Sequence, residues 1–305
     1  MRIAAVMALA IGLASPACAE VLSFGGFTPA ASDEAAALSS VLVERFGGID
    51  GETLSFRIED QLRAAQIDGR AYYKVLSSGS AAMGDGILRG TADSEARFEK
   101  YTVEKERCIK GADGKCTDAK EKYKVGCQRR KVQLQVTLRL TANGGRLLWS
   151  DDRPESYEDS ICEDSSETPR SRLEIVKLLA ARMAGRVKSD FVPAKRWDSI
   201  RVNESRKGLT KEDAERFKQA VKLTKSDASA ACRVWDDLAA VQPPHVPTLF
   251  NVALCREAEG ADQAAQQAYE RVLQIDSRNG AAREGLSRLA LNQRARRQLA
   301  AHEGQ

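Results

Sequence analysis

The sequence is poor in the residues that most catalytic, redox and metal centres require. Its 305 residues include two histidines, His245 beside Pro243-Pro244 and His302 in the carboxy-terminal tail. Neither is placed to act as the base of a serine or cysteine nucleophile. There is no Cys-x-x-Cys pair, and the cysteine spacings are not those of zinc sites, which argues against redox and metal chemistry. We therefore predict no catalytic residues, no metal and no cofactor.

A large excess of positive charge is also lacking, because the formal net charge is only +4. Basic residues are concentrated at 120–131 and 294–297, and Tyr123 is the one aromatic interleaved with the first group. Nucleic-acid binding usually needs a basic surface, with aromatic side chains where bases stack. We interpret the first group as a solvated hairpin loop and the second as a solvated helix face, with an acidic partner as the alternative for the second. No nucleic-acid partner is predicted.

Long apolar runs are confined to the amino terminus. A positively charged start is followed by apolar residues 3–14, which are too few to span a membrane comfortably, and Ala17-Cys18-Ala19 fits the rule for signal cleavage. The sequence predicts a signal peptide over 1–19, a mature start at Glu20 and a periplasmic location. The alternative is a lipidated Cys18, which would associate the protein with the outer membrane.

Cleavage after residue 19 leaves six cysteines, and an even number in an exported chain indicates disulfides. Cys232 and Cys255 lie nearly equidistant from a predicted turn between two helices at 242–246, which favours a bond between them. Loop entropy values such a bond at roughly 3 kcal/mol. The other four allow three connectivities. We favour Cys108–Cys116 with Cys127–Cys162, and Cys108–Cys127 with Cys116–Cys162 is close behind.

Two copies of one pattern, offset by 34 residues, occupy residues 212–279. A small residue, an aromatic four positions later and an apolar residue three positions after that occur in both copies. These are Ala231, Trp235 and Leu238 in the first copy and Ala265, Tyr269 and Val272 in the second. Over residues 212–290 this pattern resembles the tetratricopeptide repeat.

The resemblance implies stacked helix pairs with a concave groove that binds a protein or peptide partner. Asn251, Leu254 and Ala258 would lie on or near that groove, and Asn251 matches a family position that often bonds a peptide backbone. A carboxy-terminal helix from residue 281 to about 299 would cap the array. The same surface could instead mediate homo-oligomerisation.

Residues 20–203 show alternating strand and helix patterns that predict an α/β domain. The clearest strand is 132–140, where apolar and polar residues alternate strictly. The other predictions are a helix over 31–46, a strand over 54–58 followed by a helix over 59–66 (or one helix over 53–66), strands at 71–76, 84–93, 146–149 and 198–203, loops over 109–125 and 151–168, and a helix that opens at Thr168-Pro169.

This order of elements resembles the α/β domain of the curli-secretion lipoprotein family and the amino-terminal domain of the Tol-system propeller protein. Residues 71–76, 85–93 and 180–202 carry the resemblance, which covers roughly residues 22–203. It implies a role in envelope assembly or binding rather than catalysis. The strongly charged tip of the hairpin argues against membrane insertion.

The sequence therefore predicts an α+β protein with three segments. Residues 1–19 form the signal peptide, 20–205 an α/β sandwich with a mostly antiparallel sheet and packed helices, and 206–305 an all-α repeat domain with its capping helix. The predicted function is a non-enzymatic adaptor or scaffold of the bacterial envelope that binds a protein or peptide, with peripheral membrane contact as an option. The alternatives are an envelope hydrolase targeted by the repeats and a structural subunit of an envelope assembly.

Overall fold

The computed structural model of the protein describes residues 20–79, 84–110, 112, 115–240 and 243–304. The predicted signal peptide, with Cys18, lies outside these residues. The helices are α1 (Asp33–Ala36), α2 (Gly51–Arg63), α3 (Arg172–Phe191), α4 (Lys211–Leu223), α5 (Ala228–Ala239), α6 (Val246–Ala258), α7 (Asp262–Ile275) and α8 (Gly280–Glu303). The strands are β1 (Val21–Thr28), β2 (Ser40–Val43), β3 (Gln66–Ile67), β4 (Arg70–Ala71), β5 (Lys74–Ser77), β6 (Gly86–Lys110), β7 (Cys116–Ala142), β8 (Leu147–Asp151), β9 (Glu155–Cys162) and β10 (Ala194–Arg201). The α+β class is therefore confirmed.

These elements form two compact units. The sheet unit comprises Phe27–Lys195 and 291–304, and the helical unit comprises 20–26 and Arg196–Ala290. The structure thus divides the chain near residue 195 rather than near 206. The reason is that Leu22, Phe24 and Val202, from the strands at the two ends of the first segment, are buried in the core of the helical unit.

The sheet unit is built on a six-stranded sheet. Its order is β5-β2-β6-β7-β8, with β9 also paired to β7. Strand β2 is parallel to β5 and β6, and the other pairs are antiparallel. Alternate β7 residues from Val132 to Leu140 are buried against α3, as the strict alternation predicts. Helix α3 begins at Arg172, later than predicted, because Ser171 and Glu174 form a capping box there.

Two predicted elements of the sheet unit have the wrong type. The expected helix over 31–46 is a single turn, α1, followed by strand β2, because Val41 and Val43 pack into the sheet core at 0% and 1% exposure. Residues 54–58 belong to helix α2, so the strand expected there is wrong and the alternative of one helix over 53–66 agrees with the structure. There Leu54, Ile58 and Leu62 are spaced four apart and form one buried stripe.

Two predicted loops of the sheet unit contain strand. The strands β6 and β7 stay paired almost to the hairpin tip, with a register shift between Cys108 and Lys110, so the loop expected over 109–125 is mostly paired strand. The acidic segment after residue 151 contains β9, which pairs with β7 from Leu134 to Cys127. The hydrophobicity pattern does not reveal these two strands, because they face solvent on at least one side and carry charged side chains there.

In the helical unit, helices α4 to α7 and the first part of α8 pack around one apolar core. Trp235 and Tyr269, the aromatic residues of the two sequence copies, are both completely buried. Thr210 caps α4 and Asp227 caps α5 through their side chains. Gly285 lets α8 approach Tyr269, because a Cβ at this position would lie 2.4 Å from the tyrosine ring.

Candidate functional site

Three disulfides connect the six cysteines of the described chain. Cys108–Cys116 lies near the hairpin tip, Cys127–Cys162 joins β7 to β9, and Cys232–Cys255 joins α5 to α6. These are the pairs that the sequence favoured. Such bonds are typical of proteins exported to an oxidising compartment.

The side chain of Asn251, on α6, holds an extended segment of the chain itself. Its amide oxygen accepts a hydrogen bond from the Asn203 backbone N–H at 2.8 Å, and its amide nitrogen donates to the Asn203 carbonyl at 2.9 Å. Asn251 is completely buried. One side-chain amide therefore replaces the two hydrogen bonds that a neighbouring strand would make to Asn203.

The segment held by Asn251 continues from β10, which pairs with β1 in a two-stranded sheet. The backbone N–H of Val202 donates to the carbonyl of Glu20 at 3.0 Å, and the hydroxyls of Ser23 and Ser199 lie 2.8 Å apart. Val202 is buried in the helical core, with Ile200 packed partly against it. Trp197, Ser199 and Arg201 are exposed on the other face, and the Trp197 ring lies over Gly25.

A cleft of about 570 Å³ runs beside this strand within the helical unit. One side consists of the consecutive residues 199–204. The opposite side is formed by Phe250 of α6 and by Ala281, Glu284 and Arg288 of α8. A cavity of this size is in the range of small-molecule and short-peptide sites.

A buried polar network fixes the wall of the cleft. The Arg288 guanidinium donates to both carboxylate oxygens of Glu257, at 3.0 and 2.7 Å, and the Tyr269 hydroxyl donates to the same carboxylate at 2.6 Å. Burial raises the pKa of Tyr269, and the neighbouring Glu257 carboxylate raises this pKa further. Because all three polar groups are paired, the wall is rigid before any ligand arrives.

The three residues predicted to line an open groove occupy different environments. Asn251 and Leu254 are completely buried, and Ala258 is exposed. In this conformation the Asn251 amide is bonded to Asn203, so it offers no free hydrogen bond to a partner. Nothing in the repeat pattern shows that residues 199–204 lie against α6, and that is why the cleft residues Phe250, Glu284 and Arg288 were missed.

The sheet unit has a second groove, of about 600 Å³, at the base of the long hairpin. It continues the face of the sheet that is buried against the helices, since Phe98 and Arg130 lie one step beyond Ala96 and Val132 in the ladder. Phe98 is 60% exposed there. Arg130, however, is paired with Asp159 at 3.0 Å, so the central charges of this groove neutralise each other.

The two histidines and Asp151 are engaged in packing, hydrogen bonds or ion pairs. Burial lowers the pKa of His245, whose Nδ1 lies 2.8 Å from the Thr248 hydroxyl, and the His302 ring stacks on Tyr72. Asp151 is bonded by Arg153 at 2.8 Å. Within the part of the chain that the structure describes, no group of three or more His, Cys, Asp or Glu residues is arranged to hold a metal ion.

Comparison with known proteins adds little to this picture. No protein-family model and no curated protein matches the chain. Among solved structures, a dodecamer of a PelC point variant from Paraburkholderia phytofirmans is similar at 15% identity, over 54% of this chain and 97% of that chain, with a TM-score of 0.25. A likeness at this TM-score supports no conclusion about fold or function. No helix in the described ranges is long and apolar enough to cross a membrane.

Proposed function

We propose that the protein is a non-enzymatic adaptor of the bacterial periplasm, which binds a protein or peptide partner through the cleft of its helical unit. The observation that carries this proposal is the cleft itself. It combines an extended strand with a wall in which Arg288 is already paired with Glu257, so ordering that side chain does not oppose binding.

The bond between Asn251 and Asn203 supports a peptide as the partner. It demonstrates in this chain that the face of α6 can hold extended backbone through a side-chain amide. The correspondence of Trp235 with Tyr269, both fully buried, favours a tetratricopeptide-like arrangement for the same helices. Repeats of that kind act mainly as binding surfaces.

The periplasmic location rests on the three disulfides and on the predicted signal peptide. One engaged ion pair in each cleft favours binding over catalysis. Arg288 pairs with Glu257 in the helical unit, and Arg130 pairs with Asp159 in the sheet unit. A general acid or base must instead be free to exchange a proton with the substrate.

Photo-crosslinking in the exported full chain tests the proposal. A benzophenone amino acid replaces Glu284 on the cleft wall and, as the matched control, Arg271, which is exposed on α7 away from the cleft lining. We expect a discrete crosslinked protein from position 284 and none from position 271. Equal crosslinking at both positions, or none at 284, would contradict an adaptor that uses this cleft.

A further inference from the structure

A further inference concerns the free edge of strand β10, and this inference rests on the proposed function. In a strand, successive residues direct their backbone N–H and C=O groups to opposite edges. Val202 is bonded towards β1, whereas Asn203 is bonded away from it, to Asn251. By the same alternation Arg201, Ser199 and Trp197 direct their backbone groups to the Asn203 edge.

The cleft follows this free edge rather than one face of the strand. Side chains of a strand alternate between two faces, so a cavity over a face would contact every second residue. Here every residue from 199 to 204 lines the cavity, over about 20 Å of extended chain. The backbone groups of Arg201 and Ser199, which pair with no second strand in the part of the chain that the structure describes, therefore border the space between β10 and α8.

The side chains around this edge indicate what would fit. Phe250, at 3% exposure, and the inward residues Ile200 and Val202 give the cleft its apolar lining. On the solvent side Trp197 is 72% exposed. Glu284, on α8, is exposed and makes no ion pair with any residue of the described chain.

We propose that β10 accepts a third strand, an extended peptide segment of a protein partner. The peptide would pair its backbone with Ser199 and Arg201, direct alternate apolar side chains towards Ile200 and Phe250, and place a lysine or arginine near Glu284. Adjacent strands lie about 4.8 Å apart. A cavity of about 570 Å³ between β10 and α8 suits one strand, whereas a second copy of the β1–β10 sheet would bring two.

Selection from a library of random heptapeptides displayed on phage, with the full chain as bait, provides the probe. Synthetic versions of the enriched peptides are then measured against Ser199→Pro and Ser199→Ala. Proline removes the N–H that points to the free edge, and edge strands tolerate this change. We expect binding about tenfold weaker or worse for Ser199→Pro, because an edge hydrogen bond is lost and strand pairing is blocked. The alanine variant removes only the hydroxyl and should bind as the parent does.

Two further measurements remove the dependence on a proline variant that folds. Peptide binding should protect the Ser199 and Arg201 amides of the parent chain from hydrogen exchange. Methylating the peptide nitrogens at alternate residues should abolish binding in one register and spare it in the other.

The charge of Glu284 has its own test. Glu284→Gln should weaken the binding of peptides that carry lysine or arginine by about two- to fivefold.

The outcomes separate this inference from the proposed function. Enriched peptides that bind Ser199→Pro as tightly as the parent, or that leave both amides unprotected, would overturn the strand proposal while the crosslink from position 284 could still stand. Concentration-dependent dimerisation that is lost in Ser199→Pro would overturn it in favour of pairing between two copies. A library that yields no binder would overturn the strand proposal. The adaptor proposal would be contradicted only by the absence of a crosslink from position 284.

Discussion

The helical unit and the distal hairpin, which we define as residues 98–125, are held together by different physics. In the helical unit Trp235 and Tyr269 are fully buried, and Glu257 and Arg288 beside Tyr269 are bonded to its hydroxyl and to each other. The distal hairpin is a two-stranded ribbon with charged pairs across its strands, such as Lys122 with Glu104, whose side chains are 66% and 52% exposed.

This difference indicates which amino-acid substitutions each region can tolerate. Removing a buried apolar side chain or one partner of a buried ion pair costs several kcal/mol, whereas exposed ion pairs contribute about 1 kcal/mol or less. The cleft that we propose as the binding site therefore lies in the helical unit, which tolerates fewer substitutions than the distal hairpin. The distal hairpin depends on its backbone ladder and on the Cys108–Cys116 disulfide, and single side chains on it can vary.

The largest expected effect breaks the helical core. Trp235→Ala should lower the free energy of unfolding of the helical unit by about 3–5 kcal/mol, because it removes a fully buried aromatic and leaves a cavity. Urea denaturation followed by far-UV circular dichroism measures this loss. Trp197→Ala is the matched control, since its side chain is 72% exposed and its removal should cost about 0.5 kcal/mol or less.

The buried ion pair is the second test. Arg288→Met should lower stability by about 3 kcal/mol, because Glu257 would remain buried with its charge unpaired. Adding Glu257→Gln to the same chain should recover part of the loss. If Arg288→Met alone is as stable as the parent, water rather than Arg288 satisfies the hydrogen bonds of the Glu257 carboxylate. Arg201→Met, which disrupts an exposed pair with Glu204, serves as the control.

The disulfides should separate the two regions in the same way. Replacing Cys232 and Cys255 with alanine should cost about 3 kcal/mol, because their bond closes a loop with a sequence separation of 23. Replacing Cys108 and Cys116 should leave global unfolding nearly unchanged and release only the tip. Urea unfolding together with hydrogen exchange at the tip distinguishes the two results, and equal global losses would contradict the contrast.

Acid should affect the two units in different pH windows. Burial lowers the pKa of His245 below 6.5, so as pH falls below 6.5 the unfolded chain takes up a proton before the folded chain does, and stability declines. Burial opposes ionisation of Asp151, but hydrogen bonds from Arg153 outweigh it and lower the pKa below 3.8. That contribution is lost only below about pH 4.

Urea midpoints between pH 7.5 and 3 test these windows. The parent helical unit should weaken as the pH falls below about 6.5, and His245→Gln, which cannot titrate, should remove that slope. Asp151→Asn should flatten the decline of the sheet unit at lower pH. A helical unit whose stability is flat down to pH 4 would show that His245 titrates normally.

The smallest effect is expected in the distal hairpin. Lys122→Ala should change stability by about 0.5 kcal/mol or less, because the pair with Glu104 is exposed and screened by water. The change should shrink further in high salt. A loss above 2 kcal/mol would show that the cross-strand pairs act as a network and would weaken the comparison on which these predictions rest.

Residue patterns predicted the parts of the fold in which local chemistry and burial agree. Strand 132–140 and the favoured disulfide pairing both correspond to the structure. The predicted helix over 31–46 is wrong at residues 40–43. These residues form a strand because Val41 and Val43 pack into the core of the sheet unit. Prediction failed again for β9, whose charged residues pair with β7 on a surface that hydrophobicity cannot reveal.

The candidate site shows the same limit more sharply. The sequence pointed to α6 and to Asn251, but the cleft depends on residues 199–204, Phe250 and Arg288, which lie far apart in the chain. Asn251 is bonded to Asn203, a contact between positions 48 residues apart. No periodicity within one helix records which distant segment will be its neighbour.

The sequence by itself determined the α+β class, the periods of the main strand and helices, and the cysteines available for disulfides, because these depend on local patterns of polarity and spacing. Only the tertiary structure decided that β10 lies beside α6 and α8 with one edge unpaired. That placement is set by the burial of Leu22, Phe24 and Val202 in a core whose other members come from distant helices. The free energy of such burial belongs to the packed assembly, so no single segment contains it.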